Sequence, residues 1–592
     1  MSASSTPSSS HPTNHSNKTS EAPDAPEAPA ETLDAAQRIL VCVAWPYARS
    51  VTHVGQIVGS FLPGDIFARY HRLAGHDVLM VSGSDAHGTP ITVDADREGI
   101  PPAELVARFH ALIVETLDRL GISFDNYTIT TSENHYRVVQ DFFLRLLERG
   151  YLFKDVMDSP YCPTDRRYLP DRYVLGTCPY CGFNDARGDQ CDNCGRTLDP
   201  TQLIDPRCRL CGSVSSRIEI RATEHFFLDL PKLEPRLLRW LTSGKDYWRS
   251  TVLNFALNWI KEGLRPRAIT RDLDWGVPIP LPGYEDKRIY VWFDAVIGYY
   301  SASIEWAAKR GQPGAWRAWW ALDSAGRAPA RAYYFIGKDN IPFHTIIWPA
   351  MLMGHGDLAL PYDVPANEYM TMGGFKASTS RGNVIWTRDV LDVYGAEPLR
   401  YYLTCTMPET RDTDFTYDEL VRRNNDELVG AYGNVVHRTL TFIQRNFGGQ
   451  VPEPGALTQA DESMLATVER GFTAVAVAIE AVRLREGLAA AMGVAREANR
   501  YLDKQAPWKA IKMERAAAAR VMYTMIQTLN GLKTLFAPFL PFSSQRLHEM
   551  LGGQGELAKA GWRATRIAPG TPLPRPTPLF AKFDPPTPPD TI

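Results

Sequence analysis

Apolar runs and segments of helical periodicity alternate in the first part of the chain. The run at 39–45 is rich in β-branched residues and predicts a buried strand. A turn follows at 46–50, apolar positions then recur at helical spacing over 54–70, and a second apolar run covers 78–82. Strand, helix and strand at this spacing predict the βαβ unit of a doubly wound, Rossmann-like parallel sheet.

The pattern changes twice further along the chain. A cysteine-rich segment interrupts the sheet, and apolar runs at 288–293 and 332–337 predict that strands return after it. From about 417 to 551 the pattern is helical and rich in Ala and Leu, which predicts an all-α bundle. The Pro-rich end could dock back through 578–580. The expected fold class is therefore α/β, a parallel sheet split by an insertion and followed by a helix bundle.

Composition narrows the class of protein. The 592 residues are enough for about three or four domains. The net charge of −3 means that a nucleic-acid partner would be held by local patches. The sequence has no run of about 18 apolar residues, so no membrane span is predicted. Residues 1–36 have neither a secretory nor an organellar pattern, so we expect a disordered tail on a cytoplasmic protein.

Cysteine spacing indicates metal binding. Seven of the nine cysteines lie between Cys162 and Cys211. They are clustered in Cys-x2-Cys pairs rather than spread evenly as in a disulfide framework. Two such pairs can close a tetrahedral structural zinc site.

The turn after the first predicted strand carries His53 and Gly55. In a doubly wound sheet a nucleotide phosphate meets the helix N-terminus at this point. Gly55 would allow close approach of the nucleotide, and His53 could donate a hydrogen bond to a phosphate. A single histidine at a helix start is more often a cap or a packing residue, so these two residues alone are weak evidence.

Several motifs together resemble one enzyme family. Segment 46–56 resembles the His-Ile-Gly-His motif of class I aminoacyl-tRNA synthetases, and 376–382 resembles their Lys-Met-Ser-Lys-Ser loop. Blocks at 84–91, 290–299 and 337–351 resemble methionyl-tRNA synthetases specifically. The resemblance runs in order through nearly the whole ordered chain. It implies ATP-dependent activation of methionine to methionyl-adenylate, followed by transfer to tRNA(Met).

The resemblance also implies an amino-acid pocket. Methionine is long, unbranched and polarisable, and it suits a slot with aromatic walls. Asp85 matches the carboxylate that holds the substrate ammonium. The remaining pocket positions are mostly aromatic and match Tyr47, Trp292, Ala295, Tyr299, His344 and Trp348. Trp45 stands where the family often has Leu, and it would border the methionine side chain. Each aromatic residue taken alone could equally belong to the core.

Catalysis in this family is positioning and charge stabilisation around ATP, with Mg²⁺. The matching catalytic residues are His53, Gly55, Gln56 and Lys376, and ATP binding adds Ser378 and Thr379. The catalytic motifs depart from the family pattern in three places: Gln56 replaces a His, Thr379 replaces a Lys, and Arg49-Ser50 replaces Asn-Gly. Arg49 could substitute for the missing cation.

The cysteines and the helical region have counterparts in the same family. By resemblance, one zinc knuckle is formed by Cys178, Cys181, Cys191 and Cys194. An outer set would hold a second zinc with Cys162, Asp165, Cys208 and Cys211, where Asp165 replaces a usual Cys; the alternative is buried reduced thiols. One zinc is expected and two are possible. The anticodon-reading positions match Asn434, Arg438 and Trp508, which could otherwise form an ordinary helix face.

We therefore expect a monomeric methionine–tRNA ligase (EC 6.1.1.10) whose partners are tRNA(Met), methionine and ATP. Two alternatives stay open. One is a tRNA-binding or regulatory paralogue with weak or lost charging, and the other is an adenylate-forming enzyme with a non-tRNA acceptor. The expected divisions are a tail (1–36), catalytic halves (37–150 and 286–365), a zinc-binding connective insertion (151–285), a loop and stem-contact region (366–415), an anticodon-binding bundle (416–560) and a Pro-rich tail (561–592).

Overall fold

The computed structural model describes residues 37–188, 191, 193, 194, 196, 198–212, 214, 217–373, 375, 376 and 384–585. The predicted tail at 1–36 lies outside these residues, as do Ser378 and Thr379 of the predicted loop. For Lys376 only the backbone is described.

The first half of the sheet follows the predicted order. Strand β1, Arg38–Val43, leads into a continuous helix that begins as α1, Val54–Gln56, passes through a π-helical segment, Ile57–Phe61, and ends as α2, Leu62–Leu73. The following elements alternate between strand and helix: β2 Asp77–Ser84, α3 Thr89–Glu98, α4 Pro102–Leu120, β3 Asn126–Ile129 and α5 Glu133–Glu148. The strands predicted at 39–45 and 78–82 and the helix predicted over 54–70 are confirmed.

A long antiparallel ribbon carries the cysteine-rich segment. It joins β4, Leu152–Cys162, to β9, Glu219–Leu228, in a ladder from Leu152↔Leu228 to Tyr161↔Glu219. Between these strands lie short ones: β5 Arg167–Tyr168, β6 Val174–Thr177, β7 Ala186–Arg187 and β8 Ile204–Cys208. The insertion ends with α6 Leu230–Leu241, α7 Ser250–Lys261, β10 Arg267–Ala268, β11 Thr270–Arg271 and β12 Arg288–Ile289.

The prediction of a strand over 288–293 is right only for its first two residues. Strand β12 has only two residues, and helix α8, Val291–Lys309, begins directly after the extended Tyr290. Most of the first three turns of α8 are buried, so this helix is apolar on nearly every side. A short apolar run has the same appearance in a buried helix as in a buried strand, and periodicity cannot separate the two.

The second half completes the sheet. Its elements are α9 Arg317–Trp320, β13 Arg331–Gly337, α10 Trp348–His355, β14 Ala366–Asn367, β15 Met370–Met372, β16 Phe375–Lys376, α11 Thr387–Tyr394, α12 Ala396–Cys405 and β17 Thr413–Phe415. The main sheet has the order β14–β13–β1–β2–β3, and every neighbouring pair is parallel. The carboxyl ends of these strands therefore meet at one edge, where a doubly wound sheet binds its ligands.

Helices form the region between Tyr417 and Met550, as predicted. They are α13 Tyr417–Arg423, a π-helical segment Asn424–Gly433, α14 Asn434–Asn446, α15 Gln459–Glu480, α16 Leu484–Gln505, α17 Pro507–Ala510, α18 Arg515–Phe536 and α19 Pro541–Met550. Buried Leu579 docks the following segment on this bundle, and Phe580 lies 5.9 Å from the ring of Tyr432. Among the described helices, none has the length and apolar character that a bilayer crossing requires.

A buried ion pair joins the sheet to the bundle. Arg400 on α12 donates to the Asp65 carboxylate on α2 at 2.7 Å, and both side chains are fully buried. The same guanidinium donates to the carbonyl oxygens of Pro538 and Phe539, between α18 and α19. Helix α2 continues from the His53 turn, so this contact attaches that helix to the C-terminal helices.

Candidate active site

The turn between β1 and α1 places His53 at the start of the long helix. The Gln56 side-chain oxygen accepts a hydrogen bond from the His53 backbone N–H at 3.1 Å. Burial lowers the pKa of His53 to about 4, so its ring is uncharged at neutral pH. The buried Nδ1 atom of His53 has no hydrogen-bond partner among the described residues. His53 can therefore act as a neutral hydrogen-bonding group, and Gln56 keeps its amide NH₂ for a ligand.

Both ends of the predicted loop lie close to this turn. The Val54 N–H donates to the Ile385 carbonyl at 3.1 Å, and the Thr387 N–H donates to the Thr52 carbonyl at 3.0 Å. On the other side of the loop, the backbone of Lys376 pairs with Thr371 on β15. The chain on either side of residues 377–383 is thus fixed beside the first motif, although Ser378 and Thr379 lie outside the described part.

Helix α8 presents Trp292, Ala295 and Tyr299 along one face, because their spacing of three and four residues matches the helical repeat. The Trp292 indole N–H donates to the hydroxyl oxygen of Tyr47 at 3.0 Å. The Trp45 ring meets Tyr299 edge to face, with 6.4 Å between centroids. Four predicted aromatic pocket residues, together called the aromatic group, therefore lie on or against the face of α8 that also carries Ala295.

His344 extends this group, and Trp348 lies behind it. The Nδ1 atom of His344 lies 2.8 Å from the Asn340 carbonyl, which can only accept, so Nε2 accepts from the Tyr299 hydroxyl at 2.8 Å. Burial lowers the pKa of His344 to about 4. Trp348 is fully buried and donates to the hydroxyl of Tyr334 at 3.0 Å. Its ring packs against Phe142 and Trp320, with 5.8 and 6.2 Å between ring centroids.

Asp85 directly follows β2 and lies beside the aromatic group. Its backbone N–H donates to the Pro46 carbonyl and its carbonyl accepts from the Ala48 N–H, both at 2.8 Å. Its side chain is buried and accepts from the His87 backbone N–H at 3.1 Å. Burial, and then the nearby Asp294 carboxyl, raise the pKa of Asp85 well above its usual range. A cationic substrate group would stabilise the ionised form at this position.

The inner cysteine set has the geometry of a zinc site. The Sγ atoms of Cys178 and Cys194 are 3.9 Å apart, and those of Cys181 and Cys191 are 3.6 Å apart. Four thiolates around zinc at about 2.3 Å would be separated by roughly 3.8 Å. All four sulfurs lie within 4.8 Å of one another, and all four cysteines are free of disulfides. These donors fit a tetrahedral zinc ion.

The outer set is also assembled. The Cys162 and Cys211 sulfurs are 3.6 Å apart, and the Cys208 sulfur lies 2.9 Å from Asp165 Oδ2. All four ligand atoms again lie within 4.8 Å of one another. Three thiolates and one carboxylate are a donor set that zinc accepts.

The predicted anticodon residues meet on the helical bundle. The Arg438 guanidinium lies 5.0 Å from the centroid of the Trp508 ring and donates to Asp503 at 2.8 Å. Trp508 is 38% exposed, an unusual position for so large an apolar ring. Asn434 is exposed one turn before Arg438 on α14. Together they form a surface with a stacking ring and polar groups.

Comparison with known proteins gives the family. A family model described as tRNA synthetases class I (M) matches residues 39–440, and one described as the anticodon binding domain of methionyl tRNA ligase matches residues 451–586. The chain belongs to the methionyl class of the class I tRNA synthetases. It is 53% identical over 575 residues to a methionine–tRNA ligase of Roseiflexus castenholzii, covering 92% of this chain and 96% of that protein.

Other members of the family match over a similar length of the chain. A methionine–tRNA ligase of Thermomicrobium roseum is 51% identical over 576 residues, with 93% of this chain and 97% of that protein covered. The crystal structure of the Mycobacterium tuberculosis methionyl-tRNA synthetase bound by methionyl-adenylate superposes with a TM-score of 0.75 at 26% identity. That match covers 92% of this chain and all of the other. The predicted family and fold class are confirmed.

The sequence reasoning missed two buried residues beside Asp85 and one contact. Asp294 and His87 lie within motif blocks that resemble this family, but neither received a role. A carboxylate in an apolar run such as 290–299 indicates a functional role by itself, because burying an unpaired acid is costly. The missed contact is an ion pair of 2.7 Å between Arg49 and Asp94 on α3. Arg49, the candidate substitute cation, is therefore already paired.

Proposed function

We propose that the protein activates methionine with ATP and attaches it to tRNA(Met). The observation that carries the proposal is the meeting of Asp85 with the aromatic group of Trp45, Tyr47, Trp292 and Tyr299 at the carboxyl edge of the sheet, beside the His53 turn. This arrangement offers an anion for the ammonium and rings for the thioether next to a phosphate-binding helix start.

The chemistry follows from those positions. A methionine carboxylate oxygen attacks the α-phosphorus of ATP, pyrophosphate leaves, and a hydroxyl of the tRNA 3′ adenosine then takes the aminoacyl group and releases AMP. His53 and Gln56 are proposed to donate hydrogen bonds to the phosphates, Gly55 to let the nucleotide approach, and Lys376, Ser378 and Thr379 to supply the loop contacts. Mg²⁺ bound with ATP would neutralise phosphate charge.

Methionine-dependent exchange of labelled pyrophosphate into ATP tests the first half-reaction. Methionine should support exchange far better than leucine or isoleucine, since branched side chains do not fit an unbranched slot. Asp85→Ala should abolish exchange because the ammonium loses its partner, whereas Asp229→Ala, a change at a helix cap in the insertion, should leave it intact. Equal exchange with leucine would contradict the proposed specificity.

One alternative rests on a specific observation. Gln56 replaces a histidine and Thr379 a lysine, and Arg49 is already paired with Asp94. Removing one preorganised donor typically costs about 10²- to 10³-fold in rate. A tRNA-binding paralogue with weak charging would then bind tRNA but show little exchange, and an enzyme with another acceptor would show exchange without charging. Measuring both reactions on one preparation separates the three functions.

The remaining assignments belong to the same proposal. Zinc would be structural at both cysteine clusters, since the four protein ligands of each cluster leave no position for a substrate. Asn434, Arg438 and Trp508 would read the anticodon, supported by their shared exposed surface. We further propose a monomer in the cytoplasm with the catalytic, insertion and anticodon-binding regions divided at 150, 285, 365, 415 and 560.

A further inference from the structure

Two buried carboxyl groups and one imidazole form a cluster beside the amino-acid pocket. Asp294 Oδ2 lies 2.8 Å from His87 Nδ1, and the backbone N–H of His87 donates to Asp85 Oδ1 at 3.1 Å. Asp294 is completely buried, and its other oxygen, Oδ1, has no hydrogen-bond partner in the described part of the chain. We refer to Asp85, His87 and Asp294 as the carboxylate cluster.

The surroundings of the cluster supply no full counter-charge. The Tyr136 hydroxyl on α5 lies 3.2 Å from His87 Nε2. The positive charge of Arg288 acts on Tyr136. His135 lies near His87, and Tyr299 faces Asp85. Within the described residues, neither carboxylate forms an ion pair with a lysine or an arginine. Two negative charges at this depth would therefore be opposed by one imidazole at most.

Such a cluster should retain a proton on a carboxyl group while the pocket holds no cation. Burial raises the pKa of Asp294. Burial, and then the Asp294 carboxyl, raise the pKa of Asp85. Burial lowers the pKa of His87 to about 3. A substrate ammonium changes the balance, because it pairs with the ionised form of Asp85. The substrate cation and the retained proton then compete for the same oxygen atoms.

We propose that Asp294 is a positioning residue for Asp85, acting through His87, and that the carboxylate cluster releases one proton when the ammonium of methionine binds. This inference rests on the proposed function. The O–H bond of a protonated carboxyl group breaks, its proton passes to the buffer, and the carboxylate pairs with the ammonium, so nothing is oxidised or reduced. Asp294 fixes the ring of His87, and the His87 backbone fixes the Asp85 carboxylate.

Calorimetric titration of methionine into the full-length protein counts this proton. At pH 6.5 the α-amino group of free methionine is an ammonium, because its pKa lies above the value of about 8 typical of a peptide N-terminus. The binding heat is measured in two buffers of different ionisation enthalpy, and its dependence on that enthalpy gives the number of protons released. We expect about one proton per methionine. Methionine binding with no proton release would overturn the inference, and this measurement needs no variant.

Asp294→Asn tests the positioning role. Without the neighbouring acid the pKa of Asp85 falls, so at pH 6.5 release should drop below half of the wild-type value, and the curve of release against pH should move to lower pH. The matched control is Asp363→Asn. Burial raises the pKa of Asp363 to about 6, but it pairs with the start of β13, at the end of the sheet opposite the site. An unmoved curve in Asp294→Asn, or an equal shift in the control, overturns the role.

Pyrophosphate exchange on the same preparations separates this inference from the proposed function. Exchange with methionine but no proton release contradicts the carboxylate cluster alone. Absence of exchange with any amino acid contradicts the proposed function itself.

Discussion

Gly298→Ala should weaken methionine binding by crowding Trp45. A Cβ atom at position 298 would lie 2.7 Å from Cζ2 and 2.8 Å from Cε2 of the indole, whereas non-bonded carbon atoms prefer about 3.5–4.0 Å. The ring is confined elsewhere too, since a Cβ atom at Gly83 would lie 2.3 Å from Cζ3. The added methyl group therefore has to displace either the indole or α8.

Overpacking of this kind costs about 1–3 kcal/mol. If the displaced indole enters the space proposed for methionine, binding has to push it back at that cost, and the KM for methionine in pyrophosphate exchange should rise roughly 5- to 150-fold. Thermal unfolding of the same preparations shows whether the variant is folded. The KM for ATP should stay near the wild-type value, because the His53 turn is not crowded by the change.

The decisive test is to make Gly298→Ala in a Trp45→Leu variant. With the indole removed, Gly298→Ala should no longer raise the KM, and it should stabilise α8 by up to about 1 kcal/mol because Ala is the better helix former. Gly493→Ala on α16 is the matched control, since nothing lies within 4 Å of a Cβ atom there. An equal loss from Gly298→Ala in both backgrounds would refute the proposed crowding.

Three further predictions concern the RNA, the metal and the buried ion pair. Trp508→Ala should lower charging efficiency roughly tenfold to a hundredfold, because stacking of one base is worth about 1–3 kcal/mol. Pyrophosphate exchange without RNA should stay unchanged. Charging at the wild-type rate would contradict the anticodon assignment. Metal analysis should find one to two zinc ions per chain, and Cys178→Ser should lose one and destabilise the insertion, since binding energy at such sites is largely folding energy; zinc-free, intact protein would refute this. Burial alone would raise the pKa of Asp65, but Arg69 and Arg400 hold it at about 2, so its stabilising effect is complete above pH 4 and is lost as the pH falls towards 2. Asp65→Asn should cost about 3–5 kcal/mol in urea unfolding at pH 7, and this difference from the wild type should shrink at acid pH.

Local signals along the chain predicted most of the fold. The strand, turn and helix over 39–70 followed from apolar periodicity, and the cysteine pairs indicated metal ligands by spacing alone. Asn434 and Arg438 share a helix face because they are four residues apart on a helix. The apolar run at 288–293 was misread because a buried helix and a buried strand both lack a polar face. The resemblance to a family, and not periodicity, gave the pocket residues.

Contacts between distant segments were decided only by the tertiary structure. His87 and Asp294 are 207 residues apart in the chain, and their meeting depends on how α8 packs against the end of β2. The same holds for His53 beside Ile385 and for the fit of Trp45 against Gly298. Local sequence fixes which element forms, because hydrogen bonding and side-chain periodicity act over a few residues. The packing of whole elements sums many weak contacts, so which side chains share a site emerges only when the chain has folded.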